Sequence, residues 1–379
     1  MNNQPTRRLA RSVRAASLAV TVTSCVLAFG AHSASAKTHR ARRPERTSSS
    51  RPSASGANAS RASASGVSAS GASAPGGPFG TFVFEGSDGH ARRVELRPSA
   101  KPEDLTALLD LTAGPGADRW ATQSTNGLWL LLGSERFGCA DGPCLVVARA
   151  DATQPERVVA DNEAIRPDGF SAIDALGTTI VYPGAGGPHT RDLWVTRKGR
   201  DGWSTPRSIT GTSPFAFNTQ PAISPDGSRI FYSCASAPYE PAGSTLCVVG
   251  TDGTGQRTVA DPHAHGGSDA NALRRGAWAP DGGIVFEGEW TNEQIWRLGS
   301  DLSTLSRVSP VGVENDNSPC VTPDGHVVSL WLNGPGNRAG QHQLRVANLT
   351  STSAFVIDLG QDIQDIGTGC GSVGVRSLA

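Results

Sequence analysis

The sequence predicts an all-β protein: a six-bladed β-propeller of four-stranded antiparallel blades, its ring closed by N- and C-terminal strands. Three observations carry this reading. Gly and Pro supply 45 and 25 of the 379 residues, a density of turn-formers that suits many short strands and argues against a helical protein. A turn followed by an apolar strand recurs: Ser224-Pro225-Asp226-Gly227 before Ile230-Phe231-Tyr232, Ala279-Pro280-Asp281-Gly282 before Ile284-Val285-Phe286, and Thr322-Pro323-Asp324-Gly325 before Val327-Val328. A second marker is independent of the first. Arg157, Arg207, Arg257 and Arg307 fall 50 residues apart, each ahead of a short β-branched stretch.

Two weaker turns extend the series upstream: Ser124-Thr125-Asn126-Gly127 before Leu128-Trp129-Leu130, and Asp174-Ala175-Leu176-Gly177 before Ile180-Val181-Tyr182. In the full motif Pro presets φ at the first turn position, and Gly supplies the positive φ that closes a tight hairpin. Between the two markers each unit carries a third strand, as in Leu145-Val146-Val147, Leu193-Trp194-Val195 and Cys247-Val248-Val249. One such sheet cannot bury both faces; stacking sheets around an axis does, and leaves only short edges. Five units are complete. A sixth is assembled from outer strands in 79–97 (Phe82-Val83-Phe84 and Val94-Glu95-Leu96) and inner ones in 364–377 (Gly369-Cys370-Gly371 and Val373-Gly374-Val375). A short helix at about 102–110 is expected to cap the first connection.

Residues 1–36 have the layout of a signal peptide: Arg7, Arg8, Arg11 and Arg14, an apolar run from Ala15 to Ala31, then Ala34-Ser35-Ala36 for cleavage. Two alternatives stay open. Val22-Thr23-Ser24-Cys25 matches a lipobox, which would place a lipid on Cys25 and make a lipoprotein; an uncleaved leader would be a membrane anchor. Residues 37–78, rich in Ser, Ala, Gly and Arg, read as a disordered linker. The propeller domain is 79–379. Residues 1–78 carry 11 of the 34 basic side chains, so residues 79–379 have a net charge of −10. An acidic body excludes nucleic acid as the expected partner. The leader places the protein outside the cytoplasm, secreted or in the cell envelope.

Residues 192–232 run from Asp192-Leu193-Trp194-Val195 through Asp201-Gly202-Trp203-Ser204 to the Ser-Pro-Asp-Gly turn and Ile-Phe-Tyr. This stretch resembles the TolB-like propeller family, whose WD40-like repeat sets that turn before an apolar strand. The resemblance spans about 79–379 and is strongest from 170 to 335. It implies a non-enzymatic binding or scaffold module for a protein or peptide partner.

Six cysteines remain after Cys25, an even number suited to disulfides in an exported protein. Fifteen pairings are possible, and buried free thiols are the alternative. The repeat favours Cys139 with Cys144 and Cys234 with Cys247, leaving Cys320 and Cys370 to staple the ring. No Gly-x-Ser-x-Gly elbow, P-loop or dinucleotide fingerprint occurs in a fitting context, and no cofactor is expected. Propeller ligands meet the ring at the mouth of its channel. The polar residues entering the innermost strands are Asn218, Gln220, Asp269, Asn271, Glu314, Asn315, Asp316 and Asn317. Such oxygens would suit calcium, a glycan or an extended peptide. The second function class is a glycosidase-like enzyme, with carboxylates such as Asp269, Glu314 and Asp316 paired across the channel. Trp290, beside Glu287 and Glu289, is the candidate for sugar stacking.

Overall fold

The computed structural model describes residues 79–372 apart from 87–88, 98–104, 108–116, 138–141, 159–165, 238–242, 262, 264–270, 291, 314, 333–341, 350–353, 358–362 and 366–369. The leader, the linker, Cys25, Cys139, Asp269, Glu314 and 373–375 therefore lie outside the described residues.

Six sheets follow one another along the chain, each antiparallel throughout. Blade I holds β1 (Gly80–Gly86), β2 (Ala91–Leu96) and β3 (Leu105–Ala107). Its innermost strand comes from far along the chain: β25 (Ile363–Asp365) and β26 (Cys370–Gly371) both pair with β1. Blade II is β4 (Asp118–Gln123), β5 (Trp129–Ser134), β6 (Cys144–Arg149) and β7 (Glu156–Arg157). Blade III is β8 (Ala172–Ile173), β9 (Thr179–Gly184), β10 (Asp192–Gly199) and β12 (Arg207–Ser208), with β11 (Gly202–Trp203) folded back on β10. Blade IV is β13 (Phe217–Ile223), β14 (Arg229–Ala235), β15 (Thr245–Gly250) and β16 (Arg257–Ala260). Blade V is β17 (Leu273–Trp278), β18 (Ile284–Glu289), β19 (Glu293–Leu298) and β20 (Leu305–Arg307). Blade VI is β21 (Asp316–Val321), β22 (His326–Leu332), β23 (His342–Asn348) and β24 (Ala354–Ile357). The propeller is six-bladed and closed as the repeat predicts.

Two details differ from the sequence reading. The N-terminal part contributes three strands to blade I, not two. The third of them, β3, stands where a helix over 102–110 was expected. The pattern of Leu105, Leu108 and Leu109 suits a helix, but the open edge of β2 takes Leu105–Ala107 as its outer partner. Tertiary pairing overrides local propensity here.

The repeated turns form for the reasons the sequence gives. Gly127, Gly177, Gly227, Gly282 and Gly325 all have positive φ, between 68° and 89°. Each donates its N–H to the carbonyl three residues back, as Gly227 does to Ser224 at 2.8 Å. The Ser224 hydroxyl also accepts the Arg229 N–H at 2.9 Å and donates to Asp226. Ser124 and Asn126 repeat this arrangement in blade II. The Arg marker falls on the outermost strands, where Arg207 reaches the Asp252 and Thr251 carbonyls of the next blade.

The apolar core is not central. It is a series of layers between neighbouring blades. Val83, Leu130 and Leu132 join blades I and II; Leu131, Val147 and Ile180 join II and III. Ile230 and Tyr232 pack towards blade III, while Phe231 between them packs towards blade V. The two-residue period of a strand thus divides one apolar run between two layers. The last layer, with Val285, Val328, Phe82 and Cys370, spans blades V, VI and I.

Disulfides join Cys234 to Cys247 within blade IV and Cys320 to Cys370 between blades VI and I. Cys144 is also disulfide-bonded. Such bonds form in oxidising surroundings.

Candidate binding site at the channel mouth

The two faces of the ring differ. On one, connections are short turns such as 124–128, 174–178, 224–228 and 279–283. On the other, the chain passes from outermost to innermost strands through longer connections such as 209–216. The innermost strands begin on the long-loop face, so their first residues form the channel mouth. Loops on a rigid scaffold are where binding residues concentrate.

In blades II, IV and VI the innermost strand starts with a buried polar anchor, nine residues before its turn glycine. Asp316 is fully buried, receives Arg345 Nη1 at 2.9 Å, and accepts the Ser309 hydroxyl at 2.6 Å. Burial pushes its carboxyl up, opposed by Arg345. Asp118 has the same place in blade II, with Arg136 at 3.5 Å and its carboxyl likewise raised by burial. In blade IV the anchor is Asn218. It accepts the Ser213 hydroxyl at 2.9 Å and donates to the Arg191 carbonyl at 3.0 Å. Asn218 and Asp316 thus hold the strand starts in place.

Two residues further on, four of these strands bulge. Register shifts occur at 119/122, 219/222, 274/276 and 317/320. At each bulge a non-glycine residue takes positive φ: Trp120 (54°), Gln220 (54°), Arg275 (43°) and Ser318 (50°). Phe170 occupies the same place in blade III, after Gly169 at φ 118°. All five lie seven residues before a turn glycine. Bulges re-aim side chains and leave one backbone group unpaired. That group must find a partner when buried. The Arg275 N–H is accepted by Gln220 Oε1 at 3.1 Å and Ser233 Oγ at 3.2 Å, both in blade IV. The Ser318 N–H is accepted by Glu287 Oε2 of blade V at 3.1 Å. The bulges at Arg275 and Ser318 are therefore each pinned by the blade before them.

The bulges open a cavity of about 340 Å³ at the mouth, lined by Trp120, Phe170, Phe217, Gln220, Arg274 and Arg275. That volume lies in the range of small-ligand sites. Trp120 lies over Gly133, where an added Cβ would come within 2.6 Å of the indole. On the far side of the two arginines a second cavity of about 230 Å³ is lined by Glu287, Glu293, Asn317 and His342. Towards the turn face the strands draw together. Thr122, Ala172, Ala222 and Ala277 leave about 30 Å³ there.

Glu287, Glu289 and Glu293 place carboxylate oxygens within 4.8 Å of one another, a spacing that could hold a metal ion. Arg274 occupies their centre. Its Nε reaches Glu287 at 2.7 Å, and its Nη2 reaches Glu293 at 3.2 Å and also Glu289. Burial raises the Glu289 carboxyl, and Arg274 opposes that rise. A cation such as calcium, which takes six to eight oxygens, would have to displace this guanidinium.

Among the described residues the sequence candidates Gln220 and Asn317 line these cavities, and Asn317 Nδ2 donates to Glu293 at 2.9 Å. Asn271 donates to the Glu289 carbonyl at 2.5 Å. Asn315 has φ 57°, and its carbonyl accepts the Leu332 N–H at 3.1 Å. Trp290 meets Trp296 at 4.6 Å and Phe286 at 6.3 Å, edge-on in both cases. It is a half-buried packing residue beside the layer between blades IV and V. Sequence reasoning missed Trp120, Phe170, Arg275 and Ser318. Their constant offset from the turn glycine was the available signal.

Fold and site together define a closed six-bladed propeller with a ligand-sized mouth on its long-loop face. No family model matches the chain, and no curated protein matches it in sequence. Its structure matches that of a protein assigned as TolB from Agrobacterium tumefaciens, with a TM-score of 0.52 and 16% identity over 78% of this chain and 93% of that one. It also matches a chain of a nidogen/laminin complex, with a TM-score of 0.53 and 11% identity over 77% and 97%. The shared property is the propeller fold, of TolB-like form at distant sequence similarity. That fold serves many functions.

Proposed function

We propose that this protein is an exported, non-enzymatic binding module that holds a polypeptide partner at the channel mouth. One observation carries the reading: the long-loop face opens into an aromatic and arginine-lined cavity, whereas the neighbouring carboxylates are engaged by Arg274. A glycosidase needs one carboxyl as acid and a second, free, as nucleophile or base. Glu287, Glu289 and Glu293 share one guanidinium, and Asp316 is buried against Arg345, so neither group supplies that pair. The disulfides support an extracytoplasmic site of action, and the likeness to TolB supports a protein partner by analogy of fold.

The test is site-directed photo-crosslinking in the producing cells. A photoreactive side chain replaces Thr219 at the mouth or Ser228 on the turn face. The expected result is a discrete polypeptide adduct from position 219 and none from 228. Equal labelling from both faces, or polysaccharide cleavage by the purified protein, would overturn the reading.

A further inference from the structure

We propose that the larger mouth cavity binds an uncharged aromatic small molecule that carries a hydrogen-bonding group such as a carboxamide. This goes beyond the reading of the mouth as a polypeptide site and does not depend on it.

Charge at the cavity is balanced within the protein. Among the described residues lining it, the charged side chains are Asp168, Arg274 and Arg275. Asp168 is paired with Arg191. Arg274 is held by Glu287, Glu289 and Glu293. Arg275 Nη1 donates to the Ser318 hydroxyl, and its guanidinium lies 5.9 Å from the centre of the Phe170 ring. A charged ligand would lose its hydration here without meeting a dedicated counterion, which is costly. A neutral ligand avoids that cost.

Aromatic surface is what the cavity offers in its place. Trp120 of blade II, Phe170 and Pro183 of blade III and Phe217 of blade IV meet on it. Rings of this kind receive another ring in offset or edge-on contact. The volume of about 340 Å³ falls at the lower end of small-ligand sites and suits a compact ring system.

Two polar groups are placed to orient such a ligand. Gln220 Oε1 accepts the Arg275 N–H at 3.1 Å and the Ser233 hydroxyl at 3.0 Å. A backbone N–H can only donate, so this contact settles which end of the carboxamide is oxygen. The Gln220 amide protons are then left for the cavity that the residue lines. The second group is the Ser244 hydroxyl, which lines the same cavity and is buried with no hydrogen-bond partner. An unmet buried hydroxyl costs stability, and a ligand that pairs with it recovers that cost. A carboxamide brings an acceptor for Gln220 and a donor for Ser244. Gln220 also sits at a bulge with φ 54°, and such strain clusters at ligand sites.

The experiment uses the purified full chain and four probes of one shape: naphthamide, naphthoate, naphthylmethylammonium and the saturated decalin carboxamide. Affinities are read by calorimetry and by ligand-observed NMR. Naphthamide is expected to bind at least about tenfold more tightly than either charged probe, and about threefold or more tightly than the saturated one. Gln220→Glu keeps the oxygen that holds the Arg275 N–H but replaces the amide donor. It should weaken naphthamide about tenfold and favour naphthylmethylammonium. Ser244→Ala should weaken naphthamide, and Phe217→Ala should weaken every probe. Tighter binding of naphthoate than of naphthamide, equal affinities for neutral and charged probes, a saturated probe that matches naphthamide, or no binding at millimolar concentration would each overturn the inference in the unaltered protein. Crosslinking from position 219 reports on the polypeptide reading alone, so the two can fail separately.

Discussion

Replacing Cys320 and Cys370 together by alanine removes the bond that ties blade VI to the innermost strand of blade I. The bond spans 50 residues of chain. Loop-closure entropy for that length corresponds to about 4 kcal/mol of stability, against about 3 kcal/mol for the 13-residue separation of Cys234 and Cys247. With about 2.1 cal/mol/K of unfolding entropy per residue over roughly 300 folded residues, 4 kcal/mol lowers the melting temperature by about 6 °C. Location discriminates better than magnitude. Among the described residues β26 meets β1 through Thr81↔Gly371 and Phe82↔Cys370, and β25 adds Glu85↔Asp365 and Gly86↔Ile363. This seam is expected to fray once the covalent tie is gone. Calorimetry gives the melting shift, and amide exchange followed by mass spectrometry gives the location. The expected pattern is faster exchange in 80–86 and 363–371, with blades III and IV little changed. A melting point within about 2 °C of the parent, or exchange that speeds up uniformly around the ring, would refute the reasoning.

Three further outcomes are expected. Gly177 and Gly227 occupy equivalent turns with φ 71° and 72°, but a Cβ at 177 would lie 2.2 Å from the Trp129 indole, whereas one at 227 meets nothing within 4 Å. Gly227→Ala should therefore cost about 1 kcal/mol for backbone strain alone, and Gly177→Ala about 1–3 kcal/mol more, measured by denaturant unfolding. Arg345→Met should cost about 3–5 kcal/mol at neutral pH by stranding the buried Asp316 carboxylate. A raised carboxyl keeps its proton better folded than unfolded, so this penalty should shrink as pH falls towards about 4, and an undiminished penalty there would refute the account. Asp226 is held down to about 2 by the Ser224 hydroxyl and by the Ser228 N–H and hydroxyl. Its contribution is present above the unfolded carboxyl range, about pH 4, and is lost as pH falls towards 2. Asp226→Asn should accordingly flatten the fall in melting temperature over that interval.

The ring was legible because its markers are backbone requirements. Gly127 to Gly325 recur since each hairpin needs a positive φ, whatever side chains surround it. The mouth was harder to read because Trp120, Phe170, Gln220, Arg275 and Ser318 share a position but no chemistry. Polarity drew attention to Asn218 and Asp316 instead, and these turn inwards as anchors. A bulge then places side chains at the cavity that simple strand alternation would not predict. The face of short turns held a further repeat that went unread. Asp151, Asp252 and Asp301 each accept the N–H and hydroxyl of a following Thr, in Ala-Asp-Ala-Thr, Thr-Asp-Gly-Thr and Ser-Asp-Leu-Ser-Thr. These turns vary by one residue in length, which hid their period.

Because blade I borrows its axial strand from residues 363–371, a growing chain can stack five sheets while the sixth still lacks its seam. During that interval the edge of β1 and the apolar layer beneath Phe82 and Val328 stay open to other chains. Closure of the ring cannot begin until residues up to 371 exist, and it is unimolecular once they do. Oxidation of Cys320 and Cys370 thus marks when the barrel of blades first becomes a sealed object.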